Sequence, residues 1–272
     1  MDTPIALNSL ALGRLLTRHA RYRSAHPAVV IGNDRLAYLE FNKCVNRWAN
    51  ALANLGVCRG DRVATILPNS LELLVTYWAC AKLGAAAVPL SPLLLAGGFV
   101  SLLSAARPCV IISTRSFRGV LDDVRRQLDG SFESRWVMVE REEPGFQSYG
   151  LLCSAASDAE PRVEVQAGDL LTIMYTSGTT GLPKGIMHTH FIHAMYAGLM
   201  AASWRMAPES VVLHTGAIVF NGAMVTLLPA FYCGATYILH KQFDAEAMIE
   251  TIATERVTHT MMVPSQIICR GV

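Results

Sequence analysis

The chain has 272 residues, 52% of them hydrophobic, which is enough to bury a large core in one or two domains. A formal net charge of +2 argues against a nucleic acid or other polyanion as partner. Charged residues reach only 16%, against roughly 25% in an average soluble domain, as expected of a piece of a larger core with apolar surface left uncovered.

The start, Met1 to Ala6, lacks a basic segment and a cleavable apolar core, so no signal peptide is expected. Phe41, Val45, Trp48, Leu52 and Leu55 recur at helical spacing, and Gly56 supplies a stop. Arg62 to Leu67 reads as a buried strand ending at Pro68, and Ser70 can cap a helix running to Leu83 with Glu72 in its first turn. Cys109 to Ser113 and Trp136 to Val139 read as strands, with a polar-faced helix over Ser116 to Leu128 between them. Pro144 to Ala167 has no clear period and reads as a connecting loop. Leu170 to Tyr175 is a strand-like apolar run, and Phe191 to Trp204 predicts a helix. Strands follow at Val211 to His214, Thr236 to Leu239 and Thr260 to Val263, with a helix over Asp244 to Glu255 that Asp244 should cap. Repeated strand–helix alternation implies parallel sheets covered by helices.

Two uncharged stretches, Leu83 to Ala106 and Val211 to His240, are long enough to weigh as membrane spans. Pro89, Pro92, Gly97 and Gly98 interrupt the first, and Gly216, Asn221, Pro229 and Gly234 the second, so both predict short strands and helices. No transmembrane segment is expected, which leaves peripheral membrane association open. Seven cysteines (Cys44, Cys58, Cys80, Cys109, Cys153, Cys233, Cys269) are scattered without a C-x-x-C pair. They read as reduced core thiols of a cytoplasmic protein rather than as disulfides or a zinc site.

The chemistry concentrates in Tyr175 to Gly185, which reads YTSGTTGLPKG and follows the apolar run directly. Four Ser/Thr hydroxyls, three glycines and one lysine share this stretch. Glycines let backbone N–H groups approach phosphate oxygens, hydroxyls donate hydrogen bonds, and Lys184 brings a mobile positive charge. A P-loop needs Gly-Lys-Ser/Thr in a row; here Pro183 precedes Lys184 and Gly185 follows it, so a conventional P-loop NTPase is disfavoured.

This loop, with Thr189 and His190 after it, resembles the signature of the adenylate-forming superfamily, which holds acyl- and aryl-CoA synthetases, peptide-synthetase adenylation domains and beetle luciferases. Other stretches agree in family order: Leu36 to Phe41, Gly60 to Ala64, Leu67 to Ser70, Ala81 to Ala85, Val88 to Pro92, Leu228 to Ala230, Gly234 to Thr236, Phe243 with Asp244, Arg256 to Thr258, and Val263 to Ser265. The resemblance implies an α/β fold of stacked, mostly parallel sheets with helices between and around them. It makes residues 1–272 a partial N-terminal AMP-binding domain. About 60–205 would form a near-complete subdomain, and 1–59 with 206–272 an incomplete second one. The family's adenine segment, its ribose-binding aspartate, and its small C-terminal domain with the adenylation lysine have no counterpart in these residues.

The resemblance further implies ATP-dependent activation of a small carboxylic acid to an acyl-adenylate, then thioester formation with CoA. Thr176, Ser177, Gly178, Thr179, Thr180, Gly181 and Lys184 would hold the β- and γ-phosphates, with Lys184 as the catalytic side chain and Thr176 helping to place Mg²⁺. His190 would contribute to cofactor binding or serve as a hydrogen-bonded structural histidine. His188, His193 and His214 read as surface or core residues without metal spacing. Many family members carry a histidine on the acyl side; aligned on Asn221 and Gly222 it falls at Val219, with Gly216 where a proline is usual. Little or no adenylation is expected of the 272 residues alone, which need the C-terminal part or a complementary chain. The alternative is a non-catalytic nucleotide-binding remnant or one half of a split enzyme.

Overall fold

The computed structural model describes residues 10–128, 133–176 and 184–268. In chain order, α1 (Gly13–Tyr22) leads to β1 (Pro27–Ile31), β2 (Asp34–Ala37) and α2 (Tyr38–Asn54). A strand–helix series follows: β3 (Arg62–Ile66), α3 (Leu71–Leu83), β4 (Ala86–Pro89), α4 (Ala96–Ala106), β5 (Val110–Ser113), α5 (Arg118–Gln127) and β6 (Arg135–Met138). Then come β7 (Gln147–Ser148), α6 (Tyr149–Ala155), β8 (Leu170–Thr176), β9 (Lys184–Thr189) and α7 (His190–Ser203). The last part runs β10 (Val211–His214), α8 (Met224–Cys233), β11 (Thr236–Leu239), α9 (Ala245–Thr254), β12 (His259–Met261) and α10 (Pro264–Ile268). Two compact units emerge, one of Met1–Gly13, Lys43–Pro68 and Glu72–Phe191, the other of Arg14–Asn42, Asn69–Leu71 and Ile192–Val272.

In the first unit the described strands form a sheet in the order β7-β6-β5-β3-β4-β8-β9, parallel throughout except for the β8–β9 pair. Parallel neighbours cannot be joined by a tight turn, and the alternating sequence supplies α3 between β3 and β4 and α5 between β5 and β6, while β7 follows β6 across a loop. Phe99 of α4 is fully buried among Ile66, Val88, Ile111 and Leu121, and Ile173 and Tyr175 of β8 pack on the same cluster. α3 is mostly apolar and buries every residue from Leu73 to Leu83, including Lys82, whose ammonium donates to Asn46 Oδ1 at 2.7 Å and Glu160 Oε2 at 2.6 Å. The Trp48 indole N–H donates to Thr76 Oγ1 at 3.0 Å, so a buried polar atom on this helix is satisfied.

In the second unit the order is β12-β10-β11-β1-β2, parallel except for β1 with β2. Met248 of α9 covers Val30, Leu213 and Ile238. Asp244 caps α9 as its sequence predicts, accepting from Ala247 N at 2.8 Å.

The two uncharged stretches resolve into β4 with α4 and into β10, α8 and β11, and no helix among the described residues is long and apolar enough to cross a membrane. The structure corrects the loop expected over 144–167, because β7 and α6 lie inside it. Ser148 caps α6 by accepting from Leu151 N, and the Tyr149 ring packs 4.3 Å from Trp48. A helix this short shows no period, so its cap and tertiary contacts decide it. The helix expected over 116–128 opens with a tighter turn at Arg115–Phe117 before α5 begins, and β12 ends at Met261, two residues earlier than expected, ahead of Pro264 opening α10.

Candidate functional site

Thr176 closes β8 at its carboxyl end, and β8 runs parallel to β4 through Ala87 and Thr172. In open α/β sheets this is the end where ligands are held. β9 then returns antiparallel, with Thr176 opposite Lys184, Tyr175 opposite Gly185 and Thr172 opposite His188. Directly opposed residues share a sheet face, and Thr176 and Lys184 are both exposed. The first and last residues of the signature, Tyr175 and Gly185, therefore share one rung of the ladder, and Thr176 and Lys184 the next. Ser177, Gly178, Thr179, Thr180 and Gly181, together with Leu182 and Pro183, lie outside the described residues.

Gly185 has a local reason. A Cβ there would stand 3.1 Å from Ile173 Cγ2 and 3.2 Å from Tyr175 Cε1. The bare glycine lets its cross-strand partner, Tyr175, lie against the backbone next to Lys184.

The base of the hairpin is tied by groups far apart in sequence. Asp169, just before β8, receives two hydrogen bonds from Arg59, Nε to Oδ2 at 2.7 Å and Nη2 to Oδ1 at 2.6 Å, and a third from Gln166 N at 2.8 Å. Partial burial pushes this carboxyl up, but the Arg59 and Gln166 bonds outweigh it and hold Asp169 below the usual carboxylate range. Gly84 makes room, since at φ +66° its Cβ would stand 3.0 Å from Arg59 Cγ and 3.3 Å from Asp169 Oδ2. The Asp169 carbonyl also accepts from His190 N at 3.0 Å, which joins the entrance of β8 to the exit of β9.

His190 has 0% exposure. Its Nδ1 accepts from Leu12 N at 3.1 Å, so the ring is neutral with its proton on Nε2. Burial lowers its pKa to about 4, against a raising contribution from Asp169. His188 is half-buried in the ladder, His193 is 3% exposed and His214 is 2% exposed. Among the described residues no group of three or more His, Cys, Asp or Glu gathers as a cation site.

The structure thus brings Thr176 and Lys184 together at the loop mouth and puts His190 at the opposite end of the β8–β9 ladder, closed from solvent. Sequence reading missed Arg59, Asp169 and Leu12. Arg59 and Asp169 are 110 positions apart, and no local pattern links them.

Comparisons agree with this geometry. The family model described as AMP-binding enzyme matches residues 16–268. The long-chain-fatty-acid–CoA ligase FadD13 of Mycobacterium tuberculosis is 36% identical over 236 residues, covering 85% of this chain and 45% of that protein. Indoleacetate–CoA ligase of Aromatoleum aromaticum is 33% identical over 261 residues, covering 95% of this chain and 50% of that one. The inhibitor-bound N-terminal domain of FACL13 from Mycobacterium tuberculosis superposes with a TM-score of 0.86 at 32% identity, covering 96% of this chain and 65% of that one. The chain spans about half the length of the curated relatives it matches, corresponding to their N-terminal portion. With the signature loop mounted on an antiparallel hairpin at the carboxyl end of a parallel sheet, and a family model spanning 16–268, the chain belongs to the AMP-binding enzyme family.

Proposed function

We propose that this chain supplies the phosphate-binding part of an ATP-dependent carboxylic acid–CoA ligase. The observation that carries the reading is the Thr176–Lys184 pair at the mouth of the YTSGTTGLPKG loop. In this reading residues 1–272 are part of an N-terminal AMP-binding domain, with about 60–205 as the more complete subdomain.

Activation of a carboxylate sets an anion against an anionic phosphate, so the barrier is chiefly electrostatic and positional. The Lys184 ammonium balances phosphate charge, and the Thr176 hydroxyl orients an oxygen beside it. Ser177, Gly178, Thr179, Thr180 and Gly181 supply the remaining hydroxyl and backbone N–H donors. Thr176 offers one neutral oxygen, a fit for one ligand of a hard cation that otherwise arrives on the nucleotide, so Mg²⁺ would come with ATP. CoA would take the acyl group in the complete enzyme. His190 serves the site from the opposite end of the ladder, through its bond to Leu12 and its backbone bond to Asp169. Cys44, Cys58, Cys80, Cys109, Cys153 and Cys233 form no disulfide among the described residues, which supports a reducing, cytoplasmic setting. The names of the two ligases above, a long-chain fatty acid's and indoleacetate's, support a hydrophobic acid as substrate.

The test is calorimetric titration of the chain with Mg-ATP and with pyrophosphate, beside acid-dependent AMP formation by the complete polypeptide. Binding that survives Lys184→Met unchanged would sink the reading. Binding without any acid-dependent AMP would favour a non-catalytic nucleotide module.

A further inference from the structure

Arg14, Arg18 and Arg21 recur at i, i+4 and i+7 on α1, so they share one helical face, and all three are exposed. Leu16, His19 and Ala20, on the other side of the helix, are buried. α1 holds no acidic residue, and Asp34 is the first acid after it in the sequence. No carboxylate pairs with any of the three arginines among the described residues; Glu209 pairs instead with Arg23 at 3.6 Å. Like charges one turn apart destabilise a helix, so the row works against the fold rather than for it.

The row is edged with aromatic and apolar side chains of the same unit. The Arg21 guanidinium lies over the Tyr22 ring, 5.4 Å from its centroid, and Tyr22 is 73% exposed. Arg18 Nη2 donates to the Tyr232 carbonyl at 3.3 Å. The exposed Tyr232 ring lies against Gly198 of α7, where a Cβ would stand 3.6 Å from its hydroxyl oxygen. Next to Gly198, Leu199 is 60% exposed, on a helix that carries no Asp, Glu, Lys or Arg and turns Ala194, Ala197 and Ala201 inward. A cationic row thus adjoins an uncharged apolar margin.

Anionic lipid headgroups attract arginines over about a Debye length, and tyrosine settles at headgroup level with its ring towards the acyl chains. Either signal alone anchors weakly; the two together hold a protein to a membrane surface. No helix among the described residues is long and apolar enough to cross a bilayer, so the contact is with its surface. A nucleic acid fits less well, because the net charge is only +2 and the margin beside the row is apolar.

We propose that this face of α1 docks the protein on an anionic lipid bilayer, with Arg14, Arg18 and Arg21 at the headgroups and Tyr22, Tyr232 and Leu199 in the interface. The proposal stands on this surface alone and does not depend on the ligase reading.

The test is flotation of the chain, and of the complete polypeptide beside it, with vesicles of phosphatidylcholine alone or with about a third phosphatidylglycerol. Both proteins should bind the mixed vesicles at least about tenfold more tightly than the neutral ones, and about tenfold less tightly when salt is raised from roughly 0.05 M to 0.5 M. Arg14→Gln, Arg18→Gln and Arg21→Gln together should remove the preference for anionic lipid, whereas Arg14→Lys, Arg18→Lys and Arg21→Lys together should keep it. Tyr22→Ser with Leu199→Ser should weaken binding to both kinds of vesicle about threefold or more and leave the salt dependence in place. These side chains are exposed, so urea melts should show every variant folded. Equal binding to the two kinds of vesicle, a preference retained by the glutamine variant, or a complete polypeptide that does not float overturns the proposal. So does heparin binding as tight as vesicle binding, which would assign the row to a soluble polyanion.

Discussion

Thr176 and Lys184 stand directly opposite each other on the last described rung of the β8–β9 ladder, so the two residues that flank positions 177–183 in sequence are cross-strand neighbours. The loop's hydroxyl and ammonium termini are thereby held side by side by backbone hydrogen bonds before any ligand arrives. Pre-organisation of this kind lowers the cost of bringing a hydroxyl and an ammonium to one phosphate.

Replacing Lys184 by Met should lower affinity for Mg-ATP and pyrophosphate at least tenfold, about 1.4 kcal/mol. The side chain is exposed, so stability should move by no more than about 0.5 kcal/mol. Calorimetry with a parallel urea melt measures both. Thr176→Val should show the same split with a smaller loss.

Gly185→Val places side-chain atoms where Ile173 and Tyr175 already stand. Overpacking of this kind costs about 1–3 kcal/mol. The loss should be local, with faster amide exchange at Met174 and Ile186, which pair on the next rung. Unchanged exchange there would contradict the packing argument.

His190→Phe leaves Leu12 N without its buried acceptor, an expected destabilisation of about 1–3 kcal/mol. Asp169→Asn weakens the paired bonds from Arg59 but leaves the backbone bond to His190 N in place. It should therefore loosen the hairpin base and reduce pyrophosphate affinity less than Lys184→Met does. Urea melts check the first variant and calorimetry the second.

His19, His190 and His214 are each held near pKa 4 in the folded chain, chiefly by burial, against 6.5 when unfolded. Between those values the unfolded state binds more protons. Stability is then fully present above about pH 6.5 and falls as pH drops towards about 4, by up to roughly 3 kcal/mol per histidine. Urea midpoints should be flat from pH 7 to 8 and decline from pH 6.5 downward. The decline should be shallower in His190→Gln.

The amino-acid sequence by itself determined the strand–helix alternation, the apolar lead into the signature loop and the Asp244 cap. Each of these depends on neighbours within one or two turns of chain, and periodicity records such neighbours. Family membership was legible too, because a phosphate loop needs a particular order of small, hydroxylated and cationic residues. The tertiary structure alone decided the antiparallel return of β9, the Arg59–Asp169 tie, the burial of His190 against Leu12 and the contact of His214 with Thr226. Those depend on which distant segments meet once the sheets close, and on where water is excluded. α6 shows the boundary between the two: its Ser148 cap is local, but without the Trp48 ring against Tyr149 so short a helix would not persist.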